Sequence, residues 1–233
     1  MNLAHRYLEK ETFTSYEDFA QNLKIKVPEN FNFAYDIIDE YARLEPDRLA
    51  LVWCDDYGEE RYFTFADLKF WSDKTANFLK AKGIKKGDKV MLILRRRYEF
   101  YFFCFALCKI GAVYIPSTNQ LKEKDIIYRD NAAGVKMIVS YNWPEVIDSI
   151  EKALPESPTV ETTVLVGGGR EGWINYDEEI KDASDIWVRP TGDEATSNSD
   201  LMLIYFTSGT TSMPKMACHD FTYPLGHIVT AKY

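Results

Sequence analysis

The sequence predicts an α/β fold: a mainly parallel sheet flanked by helices. Two observations lead there. Between Lys89 and Val166, apolar runs of strand length alternate with longer segments of helical periodicity. The runs are also nearly unbroken, as in Val-Met-Leu-Ile-Leu at 90–94. Strands that are apolar on both sides belong to sheets covered on both faces, which are typically parallel sheets with helical crossovers.

Each element follows from a local signal. Asn32–Leu44 places Phe33, Ile37, Ile38 and Tyr41 at helical spacing. Leu49–Trp53 and Glu60–Phe63 are short strands on either side of a turn at Asp56–Gly58. Thr64 with Asp67 caps the next helix, whose one face carries Leu68, Trp71, Thr75 and Leu79, and Gly83 ends it. The alternation then runs as strand Lys89–Leu94, helix Tyr98–Ile110, strand Ala112–Ile115, helix Lys122–Asn131, strand Lys136–Ser140, helix Pro144–Ala153 and strand Thr162–Val166. Polar Val188–Asp200, with Pro190 and Gly192, reads as a loop or seam before a buried strand at 201–206. Residues 1–30 read as an extension lying over a body formed by residues 31–233.

Composition narrows the function classes. With 46% hydrophobic and 15% aromatic residues, the 233-residue chain has ample surface for a core. A net charge of −8, spread along the chain, argues against a nucleic-acid partner. It leaves room for a phosphate ligand, because an anion site needs local backbone N–H groups and a cation rather than global charge. The longest apolar run, Phe100–Cys108, is too short to span a membrane, and Met1–Lys10 lacks the apolar stretch of a secretory signal. Cys54, Cys104, Cys108 and Cys218 read as reduced thiols of a cytoplasmic protein. Cys104 and Cys108 are one helical turn apart and read as packing; no metal ligand is assigned.

Chemistry concentrates at one place. Thr207, Ser208, Gly209, Thr210, Thr211 and Ser212 follow the buried strand, and Lys215 stands just beyond. Small residues let backbone N–H groups approach an anion closely, hydroxyls add donors, and lysine adds a cation on a flexible stem. Two other readings compete. Gly209 and Lys215 have the spacing of the first Gly and the Lys of the P-loop, but Pro214 stands where its second Gly should be and Met216 where its metal-binding hydroxyl should be. An ordinary hydroxyl-rich turn is the bland alternative.

The stretch Tyr205–His219, YFTSGTTSMPKMACH, is similar to the signature of the AMP-forming adenylate synthetases, close to Y-T-S-G-T-T-G-x-P-K. That superfamily includes acyl-CoA synthetases, luciferases and peptide-synthetase adenylation domains. The words TFADL, GIKKGDKV and YEFYFFCFALCKIGAVYIP fall upstream in the family's order, so the resemblance covers the chain from about Phe31 onward. IPSTNQLKEKDIIYR at 115–129 and PKMACH at 214–219 resemble the medium-chain acyl-CoA synthetases more narrowly.

The resemblance implies a two-step ligation. A carboxylate attacks the α-phosphorus of ATP to give an acyl-adenylate and pyrophosphate; the thiolate of CoA then displaces AMP. ATP, Mg2+ and CoA are the implied cofactors and substrates, with a small-molecule carboxylic acid. Thr207, Ser208, Gly209, Thr210 and Thr211 would bind the β- and γ-phosphates, with Ser212 in the same loop and Lys215 reaching the same charges. The family's adenine pocket, Mg2+-binding acid, ribose-binding aspartate and lid lysine are expected beyond Tyr233, so no catalytic residue is assigned here, and the chain is expected to be a catalytically incomplete N-terminal portion. The rivals are a non-catalytic interaction protein built from a synthetase, and an adenylating enzyme for aryl or amino acids. Pyrophosphate release across short, medium and aromatic acids separates the last of these.

Ser212 departs from the family's usual Gly. Where that position needs φ > 0, the side chain costs about 1 kcal/mol and stiffens the loop. Ser212→Gly is therefore expected to raise the adenylation rate, and an unchanged or lower rate would count against the idea. His219 is read as starting the next helix, His227 as packing, and Arg95–Arg97 as a solvated turn rather than a contact for a CoA phosphate.

Overall fold

The computed structural model describes residues 2–207 and 213–233. The first thirty residues contain a 3-10 turn, Leu3–Arg6, and helix α1, Tyr16–Asn22. Leu3 and Tyr7 are buried beside Phe31 and Leu225, and Glu11 pairs with Lys232. This segment therefore lies against the last helices of the described chain.

A π-helical segment, Ala34–Asp39, runs into α2, Glu40–Leu44, where one continuous helix is predicted. Strands β1, Leu49–Cys54, and β2, Glu60–Thr64, form a separate antiparallel hairpin. Helix α3, Phe65–Ala81, opens with the predicted capping box: the Thr64 hydroxyl accepts from the Asp67 N–H, and the Asp67 carboxylate accepts from the Thr64 N–H. Such a box satisfies two N–H groups that a helix start would otherwise leave unpaired.

The main sheet follows. Strand β3, Lys89–Ile93, leads through α4, Glu99–Ile110, to β4, Val113–Pro116. Gly111 ends α4 at φ +80°, and a Cβ there would come within 2.9 Å of Thr196. Helix α5, Glu123–Ala133, returns the chain to β5, Val135–Tyr141, and α6, Pro144–Ala153, carries it to β6, Thr162–Val166. Pro144 at the first turn of α6 costs no hydrogen bond there. A short β7, Ile174–Asn175, and α7, Tyr176–Asp182, come next; neither is predicted from the sequence. After the loop, β8 spans Leu201–Thr207, β9 Lys215–Asp220, α8 Tyr223–Gly226 and α9 Ile228–Lys232.

The strand order is β7-β6-β5-β3-β4-β8-β9, parallel except that β9 runs antiparallel to β8. Val90 and Leu92 of β3 pack with Phe103 and Leu107 of α4, whereas Met91 and Ile93 pack with Ile126 of α5 and Ile147 of α6. The alternation of the pleat thus buries both faces, as the unbroken apolar run implies. The connection leaving β3 crosses one face and those leaving β4 and β5 cross the other. The chain therefore changes direction at β3, and such a switch opens a crevice at the carboxyl ends of the strands. Among the described residues, no helix is long and apolar enough to cross a membrane.

Candidate phosphate-binding site

The predicted site stands on the β8–β9 hairpin. Met202, Leu203 and Ile204 of β8 are buried, and Tyr114 of β4 pairs with Leu203 in parallel register. β8 therefore points the same way as β4, and its end at Thr207 lies at the carboxyl edge of the sheet. Of the predicted residues, Ser208, Gly209, Thr210, Thr211 and Ser212 lie outside the described residues. Thr207 and Lys215 are described and are brought together: they form the last pair of the ladder, and the Thr207 hydroxyl donates to the Lys215 carbonyl at 3.3 Å. Lys215 is exposed.

The path beyond the loop differs from expectation. Instead of leading into a helix at His219, the chain forms β9, with His219 paired to Leu203 in mid-strand. The stretch Lys-Met-Ala-Cys-His-Asp has no apolar alternation, and only its pairing with β8 makes it a strand. His219 packs as a ring, its centroid 3.9 Å from that of Tyr223 and 5.8 Å from that of Tyr205. His227 is exposed and lies against Tyr223 at 4.6 Å, a surface ring contact rather than core packing.

Helix α5 holds both stalks of the hairpin, a role the sequence does not announce. The Tyr128 hydroxyl donates to the Pro214 carbonyl at 2.8 Å. The Tyr128 ring meets Phe206 edge-on at 6.2 Å, and the Arg129 guanidinium lies 5.1 Å from the Phe206 ring centroid. Tyr128 and Arg129 belong to the word IPSTNQLKEKDIIYR, which carries a family likeness but no chemical signal of its own.

A second feature suited to anions lies at the same edge. A cleft of about 660 Å3 opens where β3, β4 and β5 end, lined by Arg95, Arg96, Arg97, Gln120, Tyr141 and Trp143 among others. Asp55 and Asp56 also reach it. Arg95 adopts φ +51° and lays its guanidinium over Trp143 at 4.9 Å. Arg97 makes a two-bond fork with Glu99, at 2.9 and 2.6 Å, and lies over Tyr98 at 4.7 Å. The expectation of a solvated turn therefore fits Arg95 and Arg96, which are exposed, but not Arg97, which is held by a carboxylate and rings.

An open, doubly wound sheet with a crevice at its carboxyl edge places the protein in the broad class of α/β proteins that bind ligands at such edges. The family follows from comparison. Residues 38–231 match the AMP-binding enzyme family, and the chain belongs to it. It is similar to mouse acyl-coenzyme A synthetase ACSM3, mitochondrial, with 35% identity over 98% of this chain and 40% of that protein. Rat acyl-coenzyme A synthetase ACSM5, mitochondrial, is 37% identical over 90% of this chain and 36% of its own length. The chain thus spans about two-fifths of the length of the curated relatives it matches. Among solved structures, the anthranilate CoA ligase AuaEII in complex with anthranoyl-AMP superposes with a TM-score of 0.77 at 24% identity, covering 87% of this chain and 37% of that one. A Brucella canis acyl-CoA synthetase superposes with a TM-score of 0.71 at 25% identity, over 84% of this chain and 34% of that one.

Proposed function

We propose that this chain provides the phosphate-gripping part of an AMP-forming acyl-CoA synthetase, an acid–thiol ligase that activates a medium-chain fatty acid with ATP and passes it to CoA. The observation that carries the reading is the closure of the hairpin by Thr207 and Lys215 at the carboxyl edge of the switch-point sheet. The run Thr207, Ser208, Gly209, Thr210, Thr211 and Ser212 would present donors to the β- and γ-phosphates, and Lys215 would offset their charge as pyrophosphate departs. Among the described residues, no group of three or more His, Cys, Asp or Glu side chains is arranged to hold a metal ion. Mg2+ would arrive on the nucleotide's phosphates, as it commonly does, and supply charge neutralisation there. The names of the relatives support the acyl-CoA reading, and the medium-chain assignment rests on the words at 115–129 and 214–219.

The test is direct. An acyl phosphate of ATP, with the acyl group on the γ-phosphate, transfers that group to a lysine held beside it. Lys215 is expected to take the label in a manner abolished by excess MgATP, and Lys215→Ala should weaken MgATP binding by about tenfold. Labelling spread over other lysines and indifferent to ATP would overturn the assignment.

For compartment we propose a reducing one, the cytoplasm, because the four cysteines are free and two of them are buried. The relatives carry "mitochondrial" in their names, and imaging of a tagged chain separates the two locations.

A further inference from the structure

Lys215 can act on a phosphate only if the backbone delivers its stem in a fixed direction. The residue before it is Pro214, whose ring locks φ near −65° and leaves ψ as the single soft backbone angle between ring and lysine. Rotation about ψ swings the Pro214 carbonyl and the Lys215 N–H together, so whatever holds that carbonyl sets where Lys215 begins. In this fold the carbonyl is held by a side chain from another element: the Tyr128 hydroxyl, at 2.8 Å. The Tyr128 ring is itself placed against Phe206 of the opposite stalk, which Arg129 also covers. One helix therefore fixes both ends of the loop, the incoming strand through a ring and the outgoing strand through a hydrogen bond.

We propose that Tyr128 is a positioning residue for the phosphate site, acting through the Pro214 carbonyl to aim Lys215. This rests on reading residues 207–215 as the phosphate site, and it adds a residue that the motif does not contain. A purely packing role would need only the ring, which phenylalanine supplies. The hydroxyl would then be dispensable.

Tyr128→Phe removes the hydroxyl and keeps the ring on Phe206. The rate at which Lys215 is acylated by the ATP acyl phosphate is compared with its rate toward a small neutral activated ester, under conditions where circular dichroism shows each variant folded. The ratio of the two rates is expected to fall about fivefold in Tyr128→Phe, the worth of one ordinary hydrogen bond. The neutral reagent's rate and the thermal midpoint should change little. Pro214→Ala, which frees φ while leaving the Tyr128 donor, should lower the same ratio. If the unsubstituted chain takes no ATP-directed label at Lys215, the phosphate-site reading itself fails. If it does and Tyr128→Phe keeps the full ratio, only the positioning role falls. A drop shared equally by both reagents would mark a general loosening and would also overturn it.

Discussion

Lys109→Met is expected to destabilise the fold by about 3–5 kcal/mol, the usual cost of stranding buried charge. Lys109 is fully buried, although it sits in the last turn of α4. Its ammonium is 2.8 Å from Asp39 and 2.5 Å from Asp73. Asp73 also pairs with Lys69, so two cations face two carboxylates where α3, α4 and the π-helical segment meet. Burial pushes the Asp39 carboxyl above its ordinary range, and Lys109 is the main group opposing that rise. Without the ammonium, Asp73 keeps only Lys69, and Asp39, its carboxyl already raised by burial, loses the main group that offsets that rise. The loss should therefore be larger at pH 8 than at pH 5, where protonation relieves part of it. Urea unfolding at the two pH values measures this. A variant that unfolds like the parent at pH 8 would show that the cluster is solvated in solution.

That cluster also marks where the sequence ceases to be readable. The run Phe-Tyr-Phe-Phe-Cys-Phe-Ala-Leu-Cys announces a buried helix, and the helix is there. A lysine one position further on reads as an ordinary last-turn cation facing solvent. Its burial depends on carboxylates 70 and 36 residues away in sequence, and nothing local encodes that meeting. The parallel core was legible for the opposite reason. Each strand from β3 to β6 is apolar enough, and each helix well enough bounded by Gly111, Gly134 or Pro144, to declare itself without its neighbours. β7 has two residues and β9 no alternation, so pairing alone makes them strands.

The candidate site divides in the same way. Thr207 and Lys215 stand out in the sequence because hydroxyls, glycine and a Pro-Lys ending after a buried strand serve no packing purpose, and the fold brings those two residues together. Tyr128 was not: a tyrosine on an amphipathic helix looks like core, and the role proposed for it rests on a hydrogen bond to a carbonyl 86 residues away. The arginines at 95–97 were visible as a charge run. Their division into two exposed side chains and one clamped by Glu99 required the fold.

Asp130 carries the second large expected effect, with the opposite sign. It lies on α5, fully buried, and neither carboxylate oxygen has a hydrogen-bond partner among the described residues. Burial raises its carboxyl to about 6, opposed in part by the neighbouring Ser157 hydroxyl, and no charged side chain contributes. A folded-state value above the unfolded one means that the native chain holds its proton more tightly. Stability from this group is therefore fully present below pH 3.9 or so and is lost as pH rises through about 6. The gap from the ordinary 3.8 to about 6 corresponds to about 3 kcal/mol of penalty at neutral pH. Asp130→Asn keeps the shape and abolishes the charge. It should stabilise the chain at pH 8 by about 1–3 kcal/mol, less than the full penalty because a buried amide also needs partners. At pH 4 the variant and parent should be close. Other titrating groups cancel in the difference between the two proteins, so urea midpoints at pH 4 and pH 8 isolate this carboxyl. A variant no more stable than the parent at pH 8 would mean that water reaches Asp130 and that its charge is not confined between α5 and the segment at Ser157.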